Sequence, residues 1–167
     1  MVQVGDMRVL EVLSNATNAI AEGEVLQLMN IKDADLDQER YFGVIRSKTA
    51  QLFEAGARLG AIVAGAGKRE QEICAAYGQA VGVAFQIIDD ILDYDGDVQV
   101  LGKNLGDDLR EAIEDPSDTA LYSVLNIIKQ TKALDTCYEL AYSQAEQALC
   151  NASLLPNSPY RDAMVEL

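Results

Sequence analysis

The chain of 167 residues carries 27 acidic and 13 basic side chains, a formal net charge of −14, and 49% apolar residues, enough for one domain with a sizeable core. An acidic balance lacks the basic stripe of a nucleic-acid-binding surface and is not attracted to an anionic membrane surface. The chain contains no histidine, which removes the commonest general base and metal ligand, and no apolar run long enough to span a membrane.

The first predicted helix extends from a cap at Asp6 to about Asn30, because apolar residues recur at helical spacing over this stretch. Glu24 and Gln27 continue its apolar face. Polar groups on a buried face need hydrogen-bonding partners, so either another segment supplies those partners or this end of the helix emerges into solvent. The sequence leaves both possibilities open.

The second predicted helix covers 36–64 and has capping-box spacing at its start, where Asp35 is followed by Gln38. Lys48 falls on the apolar face of this helix and has Thr49 beside it. A lysine in that position either extends to the rim of the core or meets an anion. The apolar residues that define the face are Tyr41, Ile45, Leu52, Leu59 and Ile62.

A third helix is predicted over 70–94, and the glycine-containing stretch 95–108 that follows it is predicted to be a loop. The apolar stripe of this helix consists of Ile73, Tyr77, Val81, Phe85, Ile88 and Leu92. Three more helices are predicted over 117–132, 134–151 and 159–167, the last with Ser158 as N-cap before Pro159. No segment alternates with the period of a strand, so the predicted fold class is all-α.

Three carboxylates are concentrated near the end of the third helix. At about 100° of rotation per residue, Gln86, Asp89, Asp90 and Asp93 fit within an arc of about 100°. Like charges one turn apart destabilise a helix, and partial burial increases that cost, so a cation is expected to neutralise them. Magnesium suits this arrangement, since it takes oxygen ligands and usually keeps water and substrate phosphates in its shell. The alternative is a solvated acidic patch at a helix end.

The segment 82–93, Gly-Val-Ala-Phe-Gln-Ile-Ile-Asp-Asp-Ile-Leu-Asp, resembles the second aspartate-rich motif of the trans-isoprenyl (polyprenyl) diphosphate synthases. Three other segments are similar to motifs of this family and occur in the family's order. They are Glu-Gly-Glu-Val-Leu-Gln-Leu at 22–28, Ser-Lys-Thr-Ala at 47–50 with Leu-Phe at 52–53, and Leu-Gly-Lys-Asn-Leu-Gly-Asp-Asp-Leu at 101–109. The likeness is greatest to the octaprenyl diphosphate synthases of bacteria.

This resemblance implies a transferase that joins an allylic diphosphate to isopentenyl diphosphate, with Mg²⁺ as cofactor, to make a long-chain polyprenyl diphosphate. It implies a metal site of Asp89, Asp90 and Asp93, with Asp90 in a supporting role. The implied catalytic residues are these aspartates together with Lys48 and Lys103, which would pair with diphosphate oxygens. The implied substrate-binding residues are Glu24, Gln27, Lys48, Thr49, Phe85, Gln86 and Lys103; among them, Phe85 and its neighbours would keep water from the allylic cation.

Parts of the family pattern have no counterpart in this chain. These are the first aspartate-rich motif, the residues that bind isopentenyl diphosphate and those that set product length. After Glu111 the family continues with Gly-Lys and Thr-Leu-Pro, whereas this chain continues with Ala112. We therefore expect residues 1–167 to be a single C-terminal portion of a polyprenyl synthase domain, with a segment missing between 111 and 112. The fold is expected to be an incomplete helical bundle of the isoprenoid synthase type, with exposed apolar surface where absent helices would pack.

Two functional interpretations follow. The first is a polyprenyl diphosphate synthase that works as a homodimer. The second is a non-catalytic truncated fragment or subunit with one magnesium–diphosphate half-site, since a single carboxylate cluster cannot hold a diphosphate from both sides. A terpene cyclase or head-to-head synthase is disfavoured by the Lys-Thr-Ala and Gly-Lys-Asn segments. Cys74, Cys137 and Cys150 match no zinc or redox spacing, and with no visible leader they indicate a reducing, cytoplasmic setting.

Overall fold

The computed structural model describes residues 2–31, 33, 36–95, 128 and 130–167. A short 3₁₀ turn at Val2–Val4 precedes the first helix. The longer elements are α1 (Met7–Asn30), α2 (Gln38–Ile45), a π-helical turn (Arg46–Ala50), α3 (Gln51–Val63), α4 (Lys68–Asp95), α5 (Ala133–Ser153) and α6 (Pro159–Glu166). These described segments contain no strand, so the all-α prediction is confirmed. Asp95, the first residue of the predicted loop over 95–108, is the last residue of α4. The rest of that loop and most of the predicted helix over 117–132 lie outside the described residues.

Side-chain caps fix the starts of three helices. The carboxylate of Asp6 accepts a hydrogen bond from the backbone nitrogen of Arg8 at 2.9 Å, as predicted for α1. Ser158 caps α6 in the predicted way. The cap of α2 is Asp37, which accepts from the backbone nitrogen of Arg40 at 2.8 Å. The predicted cap Asp35 lies outside the described residues, and α2 begins at Gln38 rather than at 36.

The predicted helix over 36–64 is continuous through α2, the π turn and α3, but it is not uniform. Arg46–Ala50 adopts the wider π-helical hydrogen bonding, which the sequence did not indicate. A π turn inside an α-helix inserts a residue and re-aims the side chains that follow, and such turns often occur at functional sites. In this chain the π turn carries Lys48 and Thr49.

Helix α4 lies between α3 and α5 and makes its most extensive contacts with these two helices. Its approach to the π turn depends on Gly82, because a Cβ atom at that position would lie only 2.6 Å from the Cα atom of Ala50. The largest described core cluster is formed by Ile45, Ala50, Val83, Ile87, Ile91 and Ala141. This packing fixes the position of α4 relative to the helix that carries Lys48.

The predicted apolar stripe of α4 is buried near its start and exposed near its end. Ile73 and Tyr77 are buried, but Phe85 is 55% exposed and Leu92 is 40% exposed. The exposed end agrees with the expected apolar surface where helices absent from this chain would pack, while the faces of α4 in contact with α3 and α5 are buried. Other large apolar side chains that are exposed include Val25, Leu26, Leu28 and Met29 on α1 and Leu52 on α3. None of the described helices is long and apolar enough to span a membrane.

Candidate functional site

The end of α1 supplies partners for the lysine of the π turn. The ammonium group of Lys48 donates a hydrogen bond to Oε1 of Gln27 at 2.6 Å and lies 3.4 Å from Oε1 of Glu24. Glu24 and Gln27 are both exposed, so this end of α1 does emerge into solvent and is also partnered. The structure therefore brings together three of the residues that the resemblance assigns to substrate binding.

Gly23 allows α1 to come this close to the π turn. A Cβ atom at Gly23 would lie 2.7 Å from the backbone nitrogen of Lys48 and 3.0 Å from atoms of Ser47. The absence of a side chain therefore permits backbone-to-backbone contact between the two segments. This contact places Glu24 and Gln27 within reach of the Lys48 ammonium group.

A chain of hydrogen bonds links the π turn to the carboxylates of α4. The hydroxyl of Thr49 donates to Oε1 of Gln86 at 2.7 Å, and the Gln86 amide nitrogen donates to Oδ1 of Asp90 at 2.8 Å. The hydroxyl of Tyr41, on α2, donates to Oδ2 of Asp90 at 2.5 Å. Both carboxylate oxygens of Asp90 therefore accept a hydrogen bond from the protein.

Tyr41 is a site residue that the sequence reasoning missed, because it was assigned only to the apolar face of its helix. The available signal was chemical: a tyrosine on a buried face usually finds a hydrogen-bonding partner for its hydroxyl. Burial raises the pKa of Tyr41, and the hydrogen bond to the Asp90 carboxylate raises it further. Tyr41 is therefore protonated at neutral pH and remains a donor.

The electrostatic environment distinguishes Asp90 from an exposed carboxylate. Burial raises the pKa of Asp90 above its ordinary value, while the hydrogen bonds from Tyr41 and Gln86 act in the opposite direction. The charges of Asp89 and Asp93 add to the rise. The side chains of Asp89 and Asp93 are themselves partly exposed on the same helix. Asp90 is partly exposed as well, so the feature that the structure describes for Asp90 is its pair of hydrogen bonds from Tyr41 and Gln86.

Within the described part of the chain, no three His, Cys, Asp or Glu side chains form a group that could hold a metal ion. Asp89 and Asp93 lie about one helical turn apart on α4, and Asp90, which accepts hydrogen bonds from Tyr41 and Gln86, lies between them in the chain. Magnesium is usually held by one or two carboxylates together with substrate phosphates and water. Asp89 and Asp93 thus fit a cation shared with a phosphate ligand, and the arrangement does not fit a cage made of protein side chains alone.

A cavity of about 510 Å³ adjoins this hydrogen-bonded group. It lies between the end of α1, α2, the π turn, α4 and the start of α5. Its polar lining includes Gln27, Lys48, Thr49, Gln86 and Asp90. Hydrogen bonds join Gln27 to Lys48, Thr49 to Gln86 and Gln86 to Asp90, and Lys48 and Thr49 are neighbours in the chain. Most of the other lining side chains are apolar, among them Ile31, Leu36, Val44, Ile87, Ile91, Leu134 and Leu140. The cavity therefore combines a cluster of polar groups with an aliphatic wall.

Not every predicted site residue lines this cavity. Asp89 and Asp93 lie on α4 on either side of Asp90 in the chain but are not among the described lining residues, and Glu24 joins the group only through Lys48. Phe85 is not among the described residues that line the cavity; its exposed ring packs against Phe53, with 5.4 Å between the ring centroids. Lys103 lies outside the described residues.

Comparison with known proteins agrees with this fold and these motifs. The polyprenyl synthetase family model matches residues 1–152. The chain is 40% identical to octaprenyl diphosphate synthase of Escherichia coli over an alignment of 192 residues that includes 100% of this chain and 59% of that protein. This chain therefore spans about three fifths of the length of that curated relative.

Solved structures of polyprenyl synthases also superpose closely on this chain. A polyprenyl synthase from Caulobacter crescentus, complexed with calcium and isoprenyl diphosphate, matches with a TM-score of 0.93 and 35% identity over 99% of this chain and 58% of that one. A decaprenyl diphosphate synthase from Rhodobacter capsulatus matches with a TM-score of 0.91 and 34% identity over 99% of this chain and 59% of that one. With the family motifs, the fold and these similarities in agreement, the chain belongs to the polyprenyl synthetase family.

Proposed function

We propose that this chain provides one side of a prenyltransferase site, in which an allylic diphosphate is condensed with isopentenyl diphosphate to give a long-chain polyprenyl diphosphate. The observation that carries the proposal is the cavity that combines linked polar groups with an aliphatic wall. An isoprenyl diphosphate has the same two parts, an anionic head and a hydrocarbon chain. The long-chain product is supported by the similarity to an octaprenyl and a decaprenyl diphosphate synthase.

In this proposal Lys48 binds diphosphate oxygens and exchanges its contacts with Glu24 and Gln27 for the ligand. A lysine that already has two polar partners at the rim of a cavity is placed to do so without reorganisation of the backbone. Thr49 and Gln86 line the same pocket, and Lys103 is proposed as a second cation for the diphosphate.

Asp89 and Asp93 are proposed to hold Mg²⁺ against the allylic diphosphate, and Asp90 is proposed to support them. When bound, the cation stabilises the negative charge that develops on the leaving diphosphate. The aliphatic wall, which includes Ile87 and Ile91, excludes water from the allylic cation. Phe85 is proposed to extend this wall when substrate is bound.

A second candidate function is a non-catalytic fragment or subunit that binds diphosphate and magnesium without turnover. Two observations favour this candidate: the chain spans 59% of the length of the Escherichia coli octaprenyl diphosphate synthase, and it carries one aspartate-rich motif. The intact mass of the protein purified from its natural source separates the two candidates. A mass near 18.1 kDa favours the half-site, and a substantially larger mass favours the complete enzyme.

The direct test is incubation of the protein with labelled isopentenyl diphosphate, farnesyl diphosphate and Mg²⁺, followed by chromatography of the extracted products. Long labelled chains support the prenyltransferase. Binding of farnesyl diphosphate by calorimetry without product formation supports the half-site. A protein that shows neither binding nor product contradicts both.

Lys48→Met is the matched test of the diphosphate contact. A hydrogen bond to a charged group contributes about 1.5–3 kcal/mol, so the substitution should weaken binding of farnesyl diphosphate about 10- to 100-fold. The control is Lys68→Met at the opposite end of α4 from Asp89, roughly 30 Å away along the helix. Equal affinities of both variants and the unmodified protein would refute the assignment of Lys48.

We also propose that the protein works in the cytoplasm as a homodimer, as the family resemblance implies. The exposed apolar side chains of α1 provide surface that a second copy could cover. Sedimentation velocity tests the dimer, and a monomer at micromolar concentration would contradict it.

A further inference from the structure

We propose that Tyr41 is a positioning residue of this site: its hydroxyl holds the Asp90 carboxylate toward α2 and thereby aligns the carboxylate-bearing end of α4 with the π turn that carries Lys48. The consequence for catalysis rests on the proposed function, whereas the hydrogen-bonded arrangement can be tested independently of it. Tyr41 lies outside the segments that resemble family motifs, so no motif points to it.

Both carboxylate oxygens of Asp90 are held by hydrogen bonds. Oδ2 accepts from the Tyr41 hydroxyl and Oδ1 accepts from the Gln86 amide. On a helix, Asp90 would otherwise share one crowded face with Asp89 and Asp93, where like charges repel. The two donors hold the Asp90 charge at the side of α4 that faces α2.

Two hydrogen bonds, one from Tyr41 and one from Thr49, join this continuous helix to α4. Tyr41 and Thr49 belong to one continuous helical rod and lie roughly 12 Å apart along its axis. They hold Asp90 and Gln86 respectively, which lie one turn apart on α4 and are bonded to each other. The apolar packing around Gly82 and Ala50 already fixes the position of α4 relative to this helix. The two polar contacts add to that packing and fix the direction of the Gln86 and Asp90 side chains.

The ring of Tyr41 is itself held in place by its neighbours. The ring of Tyr41 meets Phe42 edge-on, with 5.6 Å between the ring centroids, and packs against the core cluster that includes Ile45. A ring held by packing presents its hydroxyl in one direction. Tyr41 can therefore set the position of Asp90 rather than follow it.

The consequence for the proposed reaction is the spacing between the cation of the π turn and the carboxylates of α4. Lys48 lies in the same continuous helix as Tyr41. Asp89 and Asp93 lie in the chain on either side of Asp90, which Tyr41 holds. Groups that stabilise a developing charge are effective when their positions are fixed before the reaction. Loss of the Tyr41 hydroxyl should therefore reduce kcat more than it raises KM.

The test is Tyr41→Phe in the complete natural protein, which removes one hydroxyl and keeps the ring. We expect kcat to fall about 10- to 100-fold, while KM for the allylic diphosphate changes by less than about threefold. Tyr138→Phe is the control, because Tyr138 packs against the same core cluster from α5 and should leave both constants unchanged. An unchanged kcat in Tyr41→Phe, or a loss of activity that only follows a lowered unfolding temperature, would overturn the positioning role.

A double-mutant cycle of Tyr41→Phe and Asp90→Ala, read by thermal unfolding, tests the hydrogen bond without reference to activity, because each single substitution removes one of its two partners. Residues in contact give non-additive shifts in the unfolding midpoint, and unrelated residues give additive ones. Additive shifts would overturn the arrangement itself. If the unmodified protein neither binds nor turns over an isoprenyl diphosphate, the proposed function and the positioning role both fail, and the cycle still decides whether Tyr41 holds Asp90.

Discussion

The substitution Gly23→Ala adds one methyl group to α1 where that helix crosses the π turn. The new Cβ atom would lie 2.7 Å from the backbone nitrogen of Lys48 and 3.0 Å from the carbonyl carbon and the Cβ atom of Ser47. Ordinary contacts between such atoms are about 3.5–4.0 Å, so the two segments must separate by roughly 1 Å. Two of the three atoms belong to the backbone, so rotation of a side chain cannot relieve the overlap.

The size of the effect follows from two opposing contributions. Overpacking of this kind costs about 1–3 kcal/mol, whereas alanine in a helix interior is about 0.5–1 kcal/mol more favourable than glycine. We expect Gly23→Ala to lower the free energy of unfolding by about 1–2 kcal/mol. Gly60→Ala on α3 is the control, because nothing lies within 4 Å of its added Cβ atom. That substitution should raise the free energy of unfolding by about 0.5–1 kcal/mol.

The assay is urea unfolding followed by far-UV circular dichroism, together with calorimetric binding of pyrophosphate in the presence of Mg²⁺. The two substitutions are chemically identical, so a difference in the sign of the stability change isolates the contact between α1 and the π turn. Displacement of the Lys48 backbone should also weaken pyrophosphate binding in Gly23→Ala and not in Gly60→Ala. If both substitutions stabilise the protein equally, the close approach of α1 to the π turn is refuted.

Two further predictions concern α4. Ile87→Ala should lower the free energy of unfolding, measured by urea titration, by about 2–5 kcal/mol, because Ile87 is only 3% exposed. Leu92→Ala should have a much smaller effect, because Leu92 is 40% exposed. Equal losses would contradict the burial of α4 on two sides. Asp89→Asn and Asp93→Asn should each weaken Mg²⁺-dependent pyrophosphate binding, measured by calorimetry, more than Asp90→Asn does, because Asp89 and Asp93 are the proposed metal ligands and Asp90 is proposed to support them. A dominant loss from Asp90→Asn would identify Asp90 as a metal ligand instead.

Most helices could be predicted from the sequence because their determinants are local. The cap at Asp6 and the cap at Ser158 each depend on residues within one turn, and both are found as predicted. Helices α4 and α5 were located to within about two residues by apolar periodicity, which is the usual accuracy of element ends. The π turn was missed, because its widened hydrogen bonding has no signature in the spacing of apolar residues.

Burial was predicted less well than helicity, as Phe85 shows. A stripe of apolar residues indicates that a helix has a buried face, but it does not say how many neighbours the helix has. Helix α4 has neighbours on two sides, so Val83 and Ile87 are buried while Phe85 is exposed. The roles that the resemblance assigns to Phe85 and Lys103 stay predictions, as do the roles of the other site residues.

The sequence by itself determined that Gln86 and three aspartates share one arc of a helix, since a rotation of about 100° per residue requires nothing else. Through its resemblance to family motifs, it also predicted that Lys48 and these carboxylates belong to one site. Only the tertiary structure decided which residues of other segments contact them. Tyr41 and Asp90 are 49 residues apart in the chain, and their hydrogen bond exists because α2 packs beside α4. Packing, rather than local spacing, therefore brings the Tyr41 hydroxyl to Asp90.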